Sequence, residues 1–151
     1  MATTATRALA PFRNEPVRDF KDPADRASLV AALARAQAHL GARYPLMIDG
    51  ERIETTATFR SINPAHPTEV VGEIAAASVE QANHAVEIAF ERFATWKETN
   101  AQERAEFLFR AAELVCKRRD DFNALMILEV GKSWVEADAD TAEAIDFMEF
   151  Y

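Results

Sequence analysis

Glycine is scarce in this chain: Gly41, Gly50, Gly72 and Gly131 are the four among 151 residues. A phosphate-cradling loop needs clustered glycines so that backbone N–H groups can approach the ligand. No Gly-x-Gly-x-x-Gly run is present, so this segment carries no nucleotide phosphate loop. Cysteine is scarcer still. Cys116 stands alone and allows no intrachain disulfide, and a reducing cytoplasm is the natural compartment. No stretch approaches the roughly 18 apolar residues of a membrane span. Positive charge is in deficit, with 17 Lys and Arg against 25 Asp and Glu, a formal net charge of -8. That balance argues against nucleic acid and against an anionic membrane surface as partners. What the chain does have is apolar content, 49% of its residues, enough to bury a core.

Residues 1–21 read as an N-terminal arm, with Arg7 and Arg13 and no acid before Glu15. The basic character faintly resembles an organelle transit peptide, but a loose arm accounts for it more simply. Asp22-Pro23 is a helix start, and Leu29, Leu33, Ala36 and Leu40 recur at helical spacing until Gly41. The first helix is expected over about residues 22–40. Asp49-Gly50, between short apolar runs, is a hairpin turn, because both positions of such a turn want positive φ. Thr58–Ile62 and Val70–Ala75 read as strands, separated by Asn63-Pro64 and His66-Pro67. From there the pattern is helical. Ser78-Val-Glu-Gln81 and Ser133-Trp-Val-Glu136 are capping boxes, and Asn100 opens the helix between them. An apolar stripe from Ala82 to Trp96 marks one helix. Leu108, Ala111, Ala112 and Val115 are the expected buried side of the next. Asp120 or Asp121 starts a fourth, with Phe122 and Leu125 buried and Gly131 as its left-handed cap.

The last helix has two apolar sides and no closing cap. Trp134, Ile145 and Met148 share one side. Glu143, Phe147 and Phe150 fall nearly opposite, at 100° per residue. The expectation is a segment from the front of a larger protein, with the second side covered by further chain.

Chemistry-bearing residues are few. Gly131-Lys132-Ser133 matches the end of a phosphate loop, but Met126 stands where that motif needs glycine. A helix cap followed by an N-cap explains it. Cys116 lies mid-helix beside Lys117, Arg118 and Arg119, with no histidine near it in sequence. A small buried helix residue is expected there, not a nucleophile. His39, His66 and His84 are dispersed and form no metal-ligand spacing. The acids Glu136, Asp138, Asp140 and Asp146 read as a solvated face near a helix start. Glu143 is set apart, because its aromatic neighbours imply partial burial, and a buried carboxylate needs a cationic partner.

Glu129-Val-Gly-Lys132 followed by Glu136-Ala137 resembles the aldehyde dehydrogenase superfamily. So do the ordered Ile48-Asp-Gly-Glu51, Ser61-Ile-Asn-Pro64 and Glu69-Val-Val-Gly72 runs. Pro11-Phe-Arg-Asn-Glu-Pro16, the helix before Tyr44-Pro45, and Ala142-Glu-Ala-Ile-Asp-Phe147 are similar to its 1-pyrroline-5-carboxylate (L-glutamate γ-semialdehyde) dehydrogenase branch. The resemblance runs from about Pro11 to Tyr151 and implies the first third of a family member.

It implies an α/β fold, of which this segment is mostly helical with a small β-hairpin and one or two further strands. Residues 22–151 would be the N-terminal portion of the NAD-binding domain. It also implies a cysteine thiolate that attacks the aldehyde, hydride transfer to NAD, and hydrolysis of the resulting thioester. The nucleophile, the base and the cofactor contacts would lie beyond Tyr151, so no catalytic or cofactor-binding residue is expected here and the segment alone would be inactive. Cys116 and Lys132 do not match the family's nucleophile or its cofactor-binding lysine.

One substrate-binding role carries over. In the branch, the glutamate of Ala-Glu-Ala-Ile-Asp lies near the substrate's α-amino group, and here that is Glu143, with Phe147 beside it. Ser61, Ile62 and Glu129 match positions near a monovalent cation in some relatives. The implied partners are an amino-acid semialdehyde, the rest of the same chain and further copies in a homo-oligomer. The alternatives are an aldehyde dehydrogenase of other specificity, or a stand-alone helical interaction module that uses the Phe147–Tyr151 edge. A coding frame that continues past Tyr151 to a cysteine in a Gly-Gln-Lys-Cys-like context favours the enzyme. A stop codon favours the module.

Overall fold

The computed structural model describes residues 11–151, so the Arg7-bearing stretch with its transit-peptide character lies outside the described residues. α1 spans Pro23–Gln37. The Asp22 carboxylate accepts from the Ala24 and Asp25 amides at 2.7 and 3.3 Å, and Pro23 occupies a first-turn position whose missing N–H costs nothing. Leu29 and Ala32 are its buried residues. Gly41, at φ +75°, turns the chain into β1 (Ala42–Tyr44), β2 (Leu46–Ile48) and β3 (Glu51–Ile53). β2 and β3 pair antiparallel. Asp49 and Gly50 connect them at φ +52° and +80°, the two positive angles that the Asp-Gly pair predicts.

β4 (Thr58–Ile62) and β5 (Val70–Ala75) stand where the sequence places them. β5 is central in the order β1-β5-β4, parallel to β1 and antiparallel to β4. β1 itself is not legible in sequence, since Ala-Arg-Tyr has no apolar alternation and its pairing depends on a strand far along the chain. The register shifts between Ser61 and Ile62. Asn63 then closes the following loop by accepting from the Ala65 amide at 2.9 Å and donating to Glu69 at 2.7 Å.

The helices are α2 (Val79–Trp96), α3 (Ala101–Lys117), α4 (Arg119–Val130) and α5 (Trp134–Phe150). Both expected capping boxes are formed, and Asn100 caps α3. Gly131 caps α4 at φ +75°. α4 begins at Arg119, slightly ahead of the expected aspartates. α4 packs between α1 and α5, and α3 lies against α5.

Several burial expectations are corrected. The apolar stripe of α2 is present, but no α2 residue is buried, and Phe90 is 77% exposed. α2 meets the hairpin through Arg92, whose guanidinium donates to both Asp49 oxygens at 3.0 and 2.6 Å. It meets α3 through the edge-on Trp96–Phe107 pair. Leu108, Phe122 and Leu125 are exposed, and so is Cys116. The covered side of α4 is instead Arg119, Asp120, Asn123, Ala124 and Leu128. Three of these five are polar, which a hydrophobic pattern cannot anticipate.

Candidate functional site

The interior between α4 and α5 is built around Asp138, expected on a solvated face but in fact 1% exposed. Arg119 donates from Nε and Nη2 to its two oxygens at 2.7 Å each. Asn123 donates to it at 2.9 Å, and the Arg18 backbone amide at 2.7 Å. Thr141 donates to the Asn123 carbonyl oxygen at 2.6 Å. Burial pushes the Asp138 carboxyl up, but the bonds from Arg119, Arg18 and Asn123 and the nearby Arg119 charge outweigh it and hold the group below its ordinary value of 3.8.

The remaining Arg119 donors go to the arm: Nη1 to the Glu15 carboxylate at 2.8 Å and Nη2 to the Pro16 carbonyl at 3.0 Å. Arg18 reaches Asp120 at 2.5 Å, which also accepts from Ser28. Sequence reasoning missed this network. The available signal was an Asp138 that falls on the same side of α5 as Ala137, Thr141, Ala142 and Ile145.

α5 buries those five residues and thereby fixes which side it leaves open. Glu143 and Phe147 are on the open side, as their spacing predicts. The expected partial burial of Glu143 does not hold: it is exposed, and no ion pair engages it among the described residues. Phe147 is 52% exposed and stacks obliquely on Tyr151 at 5.9 Å. Phe150, on the same side, meets Phe12 of the arm edge-on at 5.2 Å. A carboxylate bordered by an aromatic ring, on a helix anchored from beneath, can receive an ammonium group by a charge-assisted bond.

The structure brings together two of the three cation candidates. The Ser61 hydroxyl donates to Glu129 at 2.7 Å, and both border a cavity of about 180 Å³ with Tyr44, Val71, Gly72 and Ile74. Ile62 is exposed and outside that lining.

The Gly131-Lys132-Ser133 junction is a helix cap followed by an N-cap, as its spacing predicts. Gly131 caps α4, Lys132 Nζ pairs with Asp140, and Ser133 is held in the α5 capping box. The Lys132 ammonium and the Ser133 hydroxyl are thus both engaged within the chain. No helix of the described residues is long and apolar enough to cross a membrane.

The 1-pyrroline-5-carboxylate dehydrogenase of Geobacillus kaustophilus is 51% identical over 143 residues, covering 95% of this chain and 28% of that protein. The 1-pyrroline-5-carboxylate dehydrogenase 2 of Bacillus subtilis is 50% identical over 141 residues, covering 93% and 27%. A crystal structure of 1-pyrroline-5-carboxylate dehydrogenase from Thermus with bound NAD superposes with a TM-score of 0.93 at 43% identity, covering 95% of this chain and 28% of that one. The chain thus spans a little over a quarter of the length of these relatives. The family model described as "Aldehyde dehydrogenase family" matches residues 52–151. From the hairpin to its last residue, this chain belongs to the aldehyde dehydrogenase family.

Proposed function

We propose that this chain is the N-terminal segment of an NAD-dependent dehydrogenase that oxidises L-glutamate γ-semialdehyde, formed from 1-pyrroline-5-carboxylate, to L-glutamate in proline degradation. The observation that carries the reading is α5. Its buried side fixes a helix whose open side offers Glu143 and Phe147 together, in a chain about half identical to 1-pyrroline-5-carboxylate dehydrogenases over nearly its whole length. In this reading residues 1–21 are an arm, and residues 22–151 are the first portion of the NAD-binding domain. The dinucleotide is held by chain beyond the described residues, in keeping with the engaged junction at Lys132. The enzyme works in the cytoplasm as a homo-oligomer, and residues 1–151 alone are inactive. Ser61 and Glu129, with the backbone at Ile62, border a monovalent cation.

Glu143 supplies specificity. Its carboxylate faces the substrate's α-ammonium group, and exclusion of water by the rest of the pocket strengthens that bond. Phe147 provides the apolar wall beside it. The test is Glu143→Ala in the full-length enzyme. KM for the semialdehyde rises far more than KM for a simple aliphatic aldehyde. Equal effects on both remove the specificity role.

A further inference from the structure

Within its ring contacts Phe12–Phe150 and Phe20–Trp134, the described part of the arm hydrogen-bonds α5 at two points about two turns apart. At the first, Asn14 Nδ2 donates to one Asp146 oxygen at 2.8 Å and the Glu15 amide to the other at 2.6 Å. At the second, the Arg18 amide donates to Asp138 at 2.7 Å. Between these anchors, Arg119 holds the Glu15 carboxylate and the Pro16 carbonyl from beneath. The arm therefore runs antiparallel to α5.

The lengths are matched. Eight helical residues rise about 12 Å, whereas the three steps from Glu15 to Arg18 span at most about 11 Å. The segment that bridges both anchors runs without helix or turn, and the two aspartate side chains take up the difference in length. Pro16 suits it to this, because its ring fixes φ and biases Glu15 toward an extended conformation. The anchors bracket Glu143, and Asp146 is its neighbour at i+3.

We infer that the arm is a strap that positions α5 for substrate recognition, with Asn14 and Asp146 as positioning residues for Glu143. The strap does two things. It fixes the rotation and axial setting of α5, and hence where the Glu143 carboxylate meets the ammonium group. It also occupies both Asp146 oxygens with neutral donors, so a second carboxylate one turn from Glu143 is turned away from the substrate. This inference rests on the substrate role of Glu143, and the experiment separates the two.

In the full-length enzyme, three variants are assayed with the semialdehyde and with a simple aliphatic aldehyde: Asp146→Ala, Asp146→Asn and Glu143→Ala. Asp146→Ala raises KM for the semialdehyde about three- to tenfold, leaving kcat and KM for the aliphatic aldehyde within twofold. Asp146→Asn retains an oxygen for the Glu15 amide and restores most of the loss. Hydrogen exchange shows the α5 amides from Glu143 onward opening faster in Asp146→Ala than in the parent. If Glu143→Ala shifts the semialdehyde KM and Asp146→Ala does not, the strap is overturned and the substrate reading stands. If Asp146→Ala shifts both substrates equally, the residue is merely structural and the inference is overturned. If Glu143→Ala itself is silent, the substrate reading falls, and the strap's role in recognition falls with it.

Discussion

Arg119 meets Asp138 through two parallel N–H···O bonds of 2.7 Å, with side chains 5% and 1% exposed. Each charge is out of water and depends on the other. Removing one partner is therefore costly, while replacing both with apolar groups of similar volume is not. Asp138→Ala is expected to lower stability by about 3–5 kcal/mol. The Arg119→Met/Asp138→Leu pair should lie closer to the parent than Asp138→Ala does, short of full recovery because Asn123 and the Arg18 amide lose their acceptor. Urea unfolding followed by circular dichroism measures both, and a double variant as damaged as Asp138→Ala contradicts the account.

The same carboxyl gives an acid sensitivity. Its folded pKa is below the ordinary 3.8, so its contribution is present above the unfolded value and is lost as pH falls through the folded one. The urea midpoint should drop as pH falls below about 4. In Asp138→Asn that drop should be smaller, because the group no longer titrates.

Gly131 combines two constraints. Its φ is +75°, and a Cβ there would lie 3.0 Å from Pro64 Cγ. Gly131→Ala should cost about 1–3 kcal/mol. Gly50→Ala, where φ is +80° but nothing lies within 4 Å, should cost less. Thermal melts of the two variants rank them, and the reverse order would refute the close-contact argument.

The outward side of α2, with Val86, Phe90, Phe93 and Trp96 exposed, is a large apolar surface for a chain of this size. The 151-residue polypeptide should bind an apolar-patch dye and self-associate. Phe90→Glu should reduce both without lowering helix content. A cooperative monomer with no dye signal would show that the patch is closed in solution.

What was legible in the sequence was local. The Ser78–Gln81 and Ser133–Glu136 boxes, the Asp49-Gly50 turn and the Gly131 cap each involve residues within a few positions of one another, so their chemistry is written in one short window. What was not legible needed partners far apart. Arg119 and Asp138 are 19 residues apart, and their arm contacts lie 104 and 120 residues away. Without those partners Asp138 reads as one more surface acid. Phe122 and Leu125 misled in the opposite direction, since apolar spacing shows that a side can be covered, not that it is. For the candidate site, spacing placed Glu143 and Phe147 on the open side of α5, but it overstated how far α5's own neighbours enclose Glu143.

The arm also sets an order of events during synthesis. Asn14, Glu15 and Arg18 leave the ribosome 120 to 132 residues before Asp138 and Asp146, the acids they bind. Closing a loop of that length costs entropy before any contact repays it. The arm's bonds to Arg119 and Asp138 also need α4 and α5 already side by side. Residues 14–18 are therefore made early and settle late, and helix α5 takes its final setting only once they have returned to it.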